Sequence, residues 1–168
     1  MMCATKNGII ASCALGGVLL LVMMVYSPTR PVPVRTTTPA PQVATTVRTT
    51  PTVTIRGNSI SVTIADTEAS RELGLGGRTG LAPDEGMLFV FPVDDTYGFW
   101  MKDMLFPIDI LWSAADGRIV YMQERVATST YPAVFTPNIP AHTVLELPAG
   151  YAHAHGIQAG DTMTFSGV

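Results

Sequence analysis

A mainly β domain of seven or eight short strands and one short helix is predicted for residues 53–168, preceded by a transmembrane helix and a disordered linker. Three observations carry the domain prediction. Val53-Thr54-Ile55 and Ile60–Ile64 alternate with the two-residue period of a strand with one buried face. Met87–Phe91, Ile108–Ser113 and Val144–Leu147 are apolar runs too short for helices, as strands covered on both faces would be. Turn pairs punctuate the chain at Gly57-Asn58, Asp116-Gly117 and Gly160-Asp161. Many short strands with turn signals imply a sandwich, jelly-roll-like or open-barrel arrangement.

In chain order, residues 1–7 form an N-terminal tail. Residues 8–26, GIIASCALGGVLLLVMMVY, carry no charge. As a helix they reach roughly 28 Å, close to the thickness of a bilayer core. No small-residue cleavage pattern follows, so an uncleaved single-pass signal anchor is expected. Residues 27–52, SPTRPVPVRTTTPAPQVATTVRTTPT, contain neither an aromatic nor an acidic residue. They cannot bury enough surface to fold. A Thr/Pro-rich stalk of this composition predicts that the following domain lies on the extracytoplasmic side.

Within the domain, Asp66-Thr67 caps a helix over Glu68–Leu73 that Gly74 stops. Gly98–Met101 and Ile108–Ser113 are expected as two strands joined by a turn, followed by a strand over Arg118–Gln123. Residues 125–142 contain Pro132, Pro137 and Pro140 and are expected as a long ordered loop. Thr162–Phe165 supplies the last strand.

Charge narrows the function. All thirteen acidic residues lie between Asp66 and Asp161, and with the six basic residues of 53–168 they leave that domain a net charge of −7. Such a domain repels phosphate backbones, so no nucleic-acid partner is expected. Cys3 and Cys13 are the only cysteines, which removes thiol chemistry and Cys-based zinc sites from the domain. Gly74–Gly80 has neither the glycine spacing nor the lysine of a phosphate loop. His153 and His155 are two apart and would point the same way on an extended backbone, but no four-ligand metal pattern accompanies them. No metal and no cofactor are predicted.

The remaining candidates are ionisable groups embedded in apolar strands. Asp109 interrupts Ile-Asp-Ile-Leu-Trp and Glu146 interrupts Val-Leu-Glu-Leu-Pro. Strands apolar on both faces are covered on both, so these carboxylates are expected to be shielded from water and to need a cation or several donors. Lys102, the only lysine after Lys6, and Arg78 are the available cations. Trp100 shares the face of Lys102 if the strand continues. The five residues Arg78, Trp100, Lys102, Asp109 and Glu146 therefore define a candidate mixed-charge cleft. It would bind a small polar ligand, an envelope glycan or an envelope protein. Two alternatives stand beside it: a glycan-acting hydrolase with Asp109 and Glu146 as its carboxylate pair, and a scaffold module whose ion pairs only hold the fold. The sequence names no reaction.

The strings GLGGRTGL, GMLFVF, FWMKDMLFPIDILW, VLELPAG and GIQAGD occur in that order. Together they resemble domain-of-unknown-function family 192 (DUF192), over Ile60 to the C-terminus. On that resemblance Arg78, Trp100, Lys102, Asp109, Glu146, Gly150 and Asp161 fall on motif positions, whereas His153 and His155 do not. Gly76 stands where the family usually shows methionine, and Asp103-Met104 replaces a usual Asn-Thr. The resemblance implies a mainly β, sandwich- or jelly-roll-like fold, often behind a signal or anchor segment, and supplies no reaction.

Overall fold

The structure, a computed structural model, describes residues 50–168. The predicted tail, the 8–26 anchor and nearly all of the 27–52 linker lie outside the described residues. Among the described residues no helix is long and apolar enough to cross a membrane.

The chain forms β1 (Thr52–Ile55), β2 (Asn58–Ala65), α1 (Glu68–Leu73), β3 (Glu85–Asp95), β4 (Phe99–Trp100), β5 (Ile108–Ser113), β6 (Ile119–Val126), β7 (Val134–Phe135), β8 (Ala141–Pro148), α2 (Tyr151–Ala154) and β9 (Met163–Ser166). Seven strands make one sheet in the order β6-β5-β8-β3-β2-β1-β9, and β4 with β7 makes a separate two-stranded ribbon. The sheet is antiparallel except where β2 runs parallel to β3, the two being joined across α1. It curls into a half-barrel. Its two edges meet at one end through an Arg118–Thr162 bridge and the bonds Ile119 N–H to Asp161 O and Met163 N–H to Gly117 O, each 2.8 Å. The mainly β prediction holds, and of the sandwich, jelly-roll-like and open-barrel arrangements expected, this curled single sheet comes nearest to the open barrel and is not a sandwich.

Local chemistry explains the elements. Thr67 caps α1 reciprocally with Ser70: its hydroxyl accepts from Ser70 N–H, and Ser70 Oγ accepts from Thr67 N–H. Gly74 ends the helix with φ 51°. The first hairpin turns at Arg56-Gly57, with φ 51° and 82°, the pair of positive angles that suits a two-residue turn between twisted strands. It therefore sits one residue before the expected Gly57-Asn58. Asn58 instead begins β2, and its side-chain amide donates to Ile55 O.

Three further expectations are corrected. The strand over Gly98–Met101 shortens to β4 and does not pair with β5. It pairs with β7, inside what was expected to be loop 125–142. Phe99 packs edge-on against both Phe89 and Trp112, which draws this ribbon onto the sheet rather than into it. A second helix, α2, adds to the one short helix expected. His153 and His155 are thus on a helical turn rather than an extended strand, and residues two apart on a helix do not share a face. His155 Nδ1 lies 3.0 Å from Asn58 Oδ1, and His142 Nδ1 lies 2.7 Å from Asp94.

Both faces of the sheet are covered. Inside the curl, Val53, Ile60, Leu88, Leu111, Leu145 and Leu147 pack with Tyr151 and Ala152 of α2. On the outer face, Met87, Phe89, Ile108, Ile110, Trp112 and Val144 pack with Leu75, Met101 and partly buried Phe99. Every residue of β5 is consequently buried, as its continuous apolar run requires. Gly86 lets β3 and β8 close up, since a Cβ there would stand 2.8 Å from Glu146 O.

Asp109 belongs to the inner face and ties this layer together. It is fully buried, and its carboxylate accepts from the backbone N–H groups of Arg125 (2.7 Å), Gly150 (2.9 Å) and Ala152 (2.8 Å). One side chain therefore holds the end of β6, the β8–α2 turn and the start of α2. Hydrogen bonds to a charged group contribute about 1.5–3 kcal/mol each, and an orphaned buried donor costs about 1–3 kcal/mol. Asp109→Ala is expected to lower the unfolding free energy by at least about 3 kcal/mol. Arg78→Ala, which removes only a half-exposed pair with Glu85, should cost less than about 1 kcal/mol. Chemical denaturation of the two variants side by side checks the ranking.

Candidate functional site

Register decides where the two strand carboxylates go. Residues facing each other across a ladder share a face, and neighbours along a strand alternate. Glu146 pairs with Ile110 on one side and Met87 on the other, while Asp109 pairs with Leu147. Glu146 is therefore on the outer face and Asp109 on the inner face, with the sheet between them. The expected compensation of Asp109 by Lys102 does not occur: three backbone amides compensate that carboxylate on the inner face, and Lys102 lines the cleft of the outer face. The carboxylate pair required by the hydrolase alternative does not form either.

The outer face opens into a cleft of about 440 Å³ whose lining includes Trp100, Lys102 and Glu146. These three of the five sequence-predicted residues come together. Arg78 and Asp109 do not line it. Arg78 instead stands 3.7 Å from Glu85. A second groove of about 510 Å³ runs on from the first, with Glu72, Leu73, Gly76, Trp100 and Lys102 common to both.

Glu146 is 5% exposed. Its Oε2 is buried and has no hydrogen-bond partner. Burial, with no compensating charge, pushes its carboxyl up to about 8 from an ordinary value of 4.5. At neutral pH this group is mainly a carboxylic acid, able both to donate and to accept a hydrogen bond.

The walls are aromatic. Met87, Phe89 and Phe91 alternate along β3, so the two rings share the face that Met87 shares with Glu146. Phe91 stacks on Tyr97 with ring centroids 3.5 Å apart, and Tyr97 is fixed by its hydroxyl donating to Val93 O at 2.7 Å. Phe89 meets Phe99 edge-on at 4.9 Å. Arg71 of α1 lies over the Phe91 ring at 5.2 Å and donates to Asp66 O and Val90 O. Its guanidinium clips α1 to β3. Lys102 is exposed at the mouth and makes no ion pair within 4.0 Å among the described residues. The turn that carries it is held to the glycine loop after α1 by Gly77 N–H donating to Asp103 O at 2.9 Å.

The sequence reading passed over Phe89, Phe91, Tyr97 and Phe99. The period-two spacing of Phe89 and Phe91 in GMLFVF was the available signal. Among the described residues no group of three or more His, Cys, Asp or Glu is placed to hold a metal ion.

The DUF192 family, described as an uncharacterised ACR, matches residues 51–165. The chain belongs to this family. The match starts earlier than the strings alone indicated and takes in β1. Two solved structures are similar to this DUF192 chain. One, from Sinorhizobium meliloti 1021 and named as a candidate transcription regulator, is 31% identical with a TM-score of 0.65, over 70% of this chain and 93% of that one. The other, a protein of unknown function from Novosphingobium aromaticivorans DSM 12444, is 29% identical with a TM-score of 0.62, over 67% of this chain and 83% of that one. No curated protein matches.

Glu146 also sets a pH dependence. An acid whose folded pKa is raised keeps its proton in the native state after the unfolded chain has lost it. Stability therefore falls as pH rises from about 4.5 to about 8 and levels off beyond. Glu146→Gln removes this term, so the melting temperature of the variant should exceed that of the wild type by a margin that widens from pH 5 to pH 8. Parallel melting curves across that range would show that Glu146 carries no such penalty.

Proposed function

We propose that this domain is a binding module for a small ligand that enters past Trp100 and Lys102 and ends against Glu146. One observation carries the reading: a buried, unpartnered carboxyl oxygen beside an open, aromatic-walled cleft. Buried polar atoms are nearly always paired, and exceptions need a reason. A group arriving in the cleft would supply the missing partner. Pockets of this size with a few convergent polar groups and a perturbed titratable residue are where small molecules bind.

The scaffold alternative predicts ion pairs sealed from solvent with no adjoining pocket. Asp109 is sealed from solvent but is compensated by backbone amides rather than by an ion pair, and Glu146 borders an open cleft. The 8–26 apolar run and the Thr/Pro-rich stalk support a location on the extracytoplasmic side of a membrane. Envelope components then join small polar molecules among the accessible ligands. The transcriptional role in the name of the Sinorhizobium meliloti protein does not transfer easily, because the net charge of −7 over residues 53–168 opposes a phosphate backbone.

A thermal-shift screen of the full-length protein in detergent against sugars, nucleotides and amino acids tests the proposal. A genuine hit should be lost in Glu146→Gln, weakened at least tenfold in Trp100→Ala, and unchanged in Arg78→Ala. Hits that survive both cleft substitutions at full strength would place binding elsewhere and remove the proposal.

A further inference from the structure

The charges around the cleft favour one sign of ligand. On α1, Glu68, Arg71 and Glu72 line it, Lys102 comes from the turn after β4, and Tyr97 from the segment before β4. The strand neighbours of Glu146, Met87 and Ile110, are uncharged. Arg71 is already committed to two backbone carbonyls. An anion would thus find one uncommitted cation, the exposed Lys102 amine, opposed by two rim carboxylates and a buried carboxyl. A cation meets Lys102 as a repelling charge at the mouth but finds Glu68, Glu72 and that buried carboxyl as acceptors, together with the Phe89 and Phe99 rings, the Phe91 ring being already covered by Tyr97 and Arg71. The groove continuing over Gly76 offers room for an apolar stem to leave the cleft.

We infer that the Glu146 cleft takes an organic ammonium ion on a slender apolar stem, an inference that rests on the reading of this cleft as a ligand site. The ammonium group meets Glu146 Oε2, and the stem lies among Phe89, Phe91 and Phe99. Two sources share this chemistry: a free amine and a lysine side chain of a peptide. Binding of a permanent cation requires Glu146 to ionise, so each ion bound at neutral pH displaces a proton into solvent.

Isothermal titration calorimetry of the full-length protein tests this with tetramethylammonium, n-butylammonium and the capped tripeptide acetyl-Gly-Lys-Gly-amide. 1-Butanol and butyrate are the uncharged and anionic matches. The ammonium probes should bind at least tenfold more tightly than butanol or butyrate. For tetramethylammonium, the buffer dependence of the heat should report close to one proton released at pH 6–7 and close to none at pH 9.5. Affinity should rise about tenfold per pH unit up to about 8 and then level off. Glu146→Gln should abolish the preference for ammonium. Because the proton count is read on the wild type, it stands whether or not that variant folds. Tighter binding of the tripeptide than of butylammonium assigns a lysine side chain, and equal or weaker binding assigns a free amine. If butanol or butyrate binds as well as butylammonium, or no proton is released, the ammonium inference is overturned while the ligand site stands. If no probe of any charge binds, the ammonium inference falls, and the ligand site falls with it only if the screen of sugars, nucleotides and amino acids is also blank.

Discussion

The register of β5 against β8 is the constraint on which the rest depends. Both strands are covered on both faces, so a slip of one residue would put Asp109 and Glu146 on the same face. As built, Ile110 faces Glu146 and Leu147 faces Asp109. One carboxylate is sent inward beneath α2, the other outward beneath the aromatic cluster, and the sheet keeps them from sharing a partner.

The two carboxylates then show two solutions to the same problem. Burying an ionised group is costly unless donors or a cation compensate it. Asp109 is compensated by three backbone amides from two separate segments, so its charge contributes to the fold and is not free for anything else. Glu146 has no compensation, and its carboxyl is held protonated at neutral pH instead. The first arrangement strengthens the domain. The second weakens it, and a destabilising buried group beside an open cleft is what a binding site kept ready for its ligand would retain. Arg71 supports that site without competing for the ligand, since its guanidinium is spent on Asp66 O, Val90 O and the Phe91 ring.

Much of this was legible in the sequence. Period-two alternation, short apolar runs and Asp-Gly punctuation located most strands of the sheet, and the apolar context of Asp109 and Glu146 correctly implied their burial. Three things were not legible. Whether two buried carboxylates converge depends on inter-strand register, which no single segment encodes. The pairing of β4 with β7 depends on Phe99 finding Phe89 and Trp112, contacts made across long separations in the chain. Helix α2 is one turn long, too short for periodicity to reveal. Its start is fixed by Asp109, a residue some forty positions earlier. The aromatic walls were missed for a different reason: alternating phenylalanines in a strand read first as core, and the cleft they border exists only once α1 and the Lys102 turn are placed beside them.

Glu146 is the group that makes the cleft a site. Direct titration of its side-chain carboxyl carbon by NMR, in ligand-free protein with Glu146→Gln as the assignment control, measures the claim itself. A midpoint near 8 is expected, with the carboxyl protonated at neutral pH. A midpoint at the ordinary value of 4.5 would mean that the carboxylate is already compensated in the native state, and the cleft would lose the group that makes it a site.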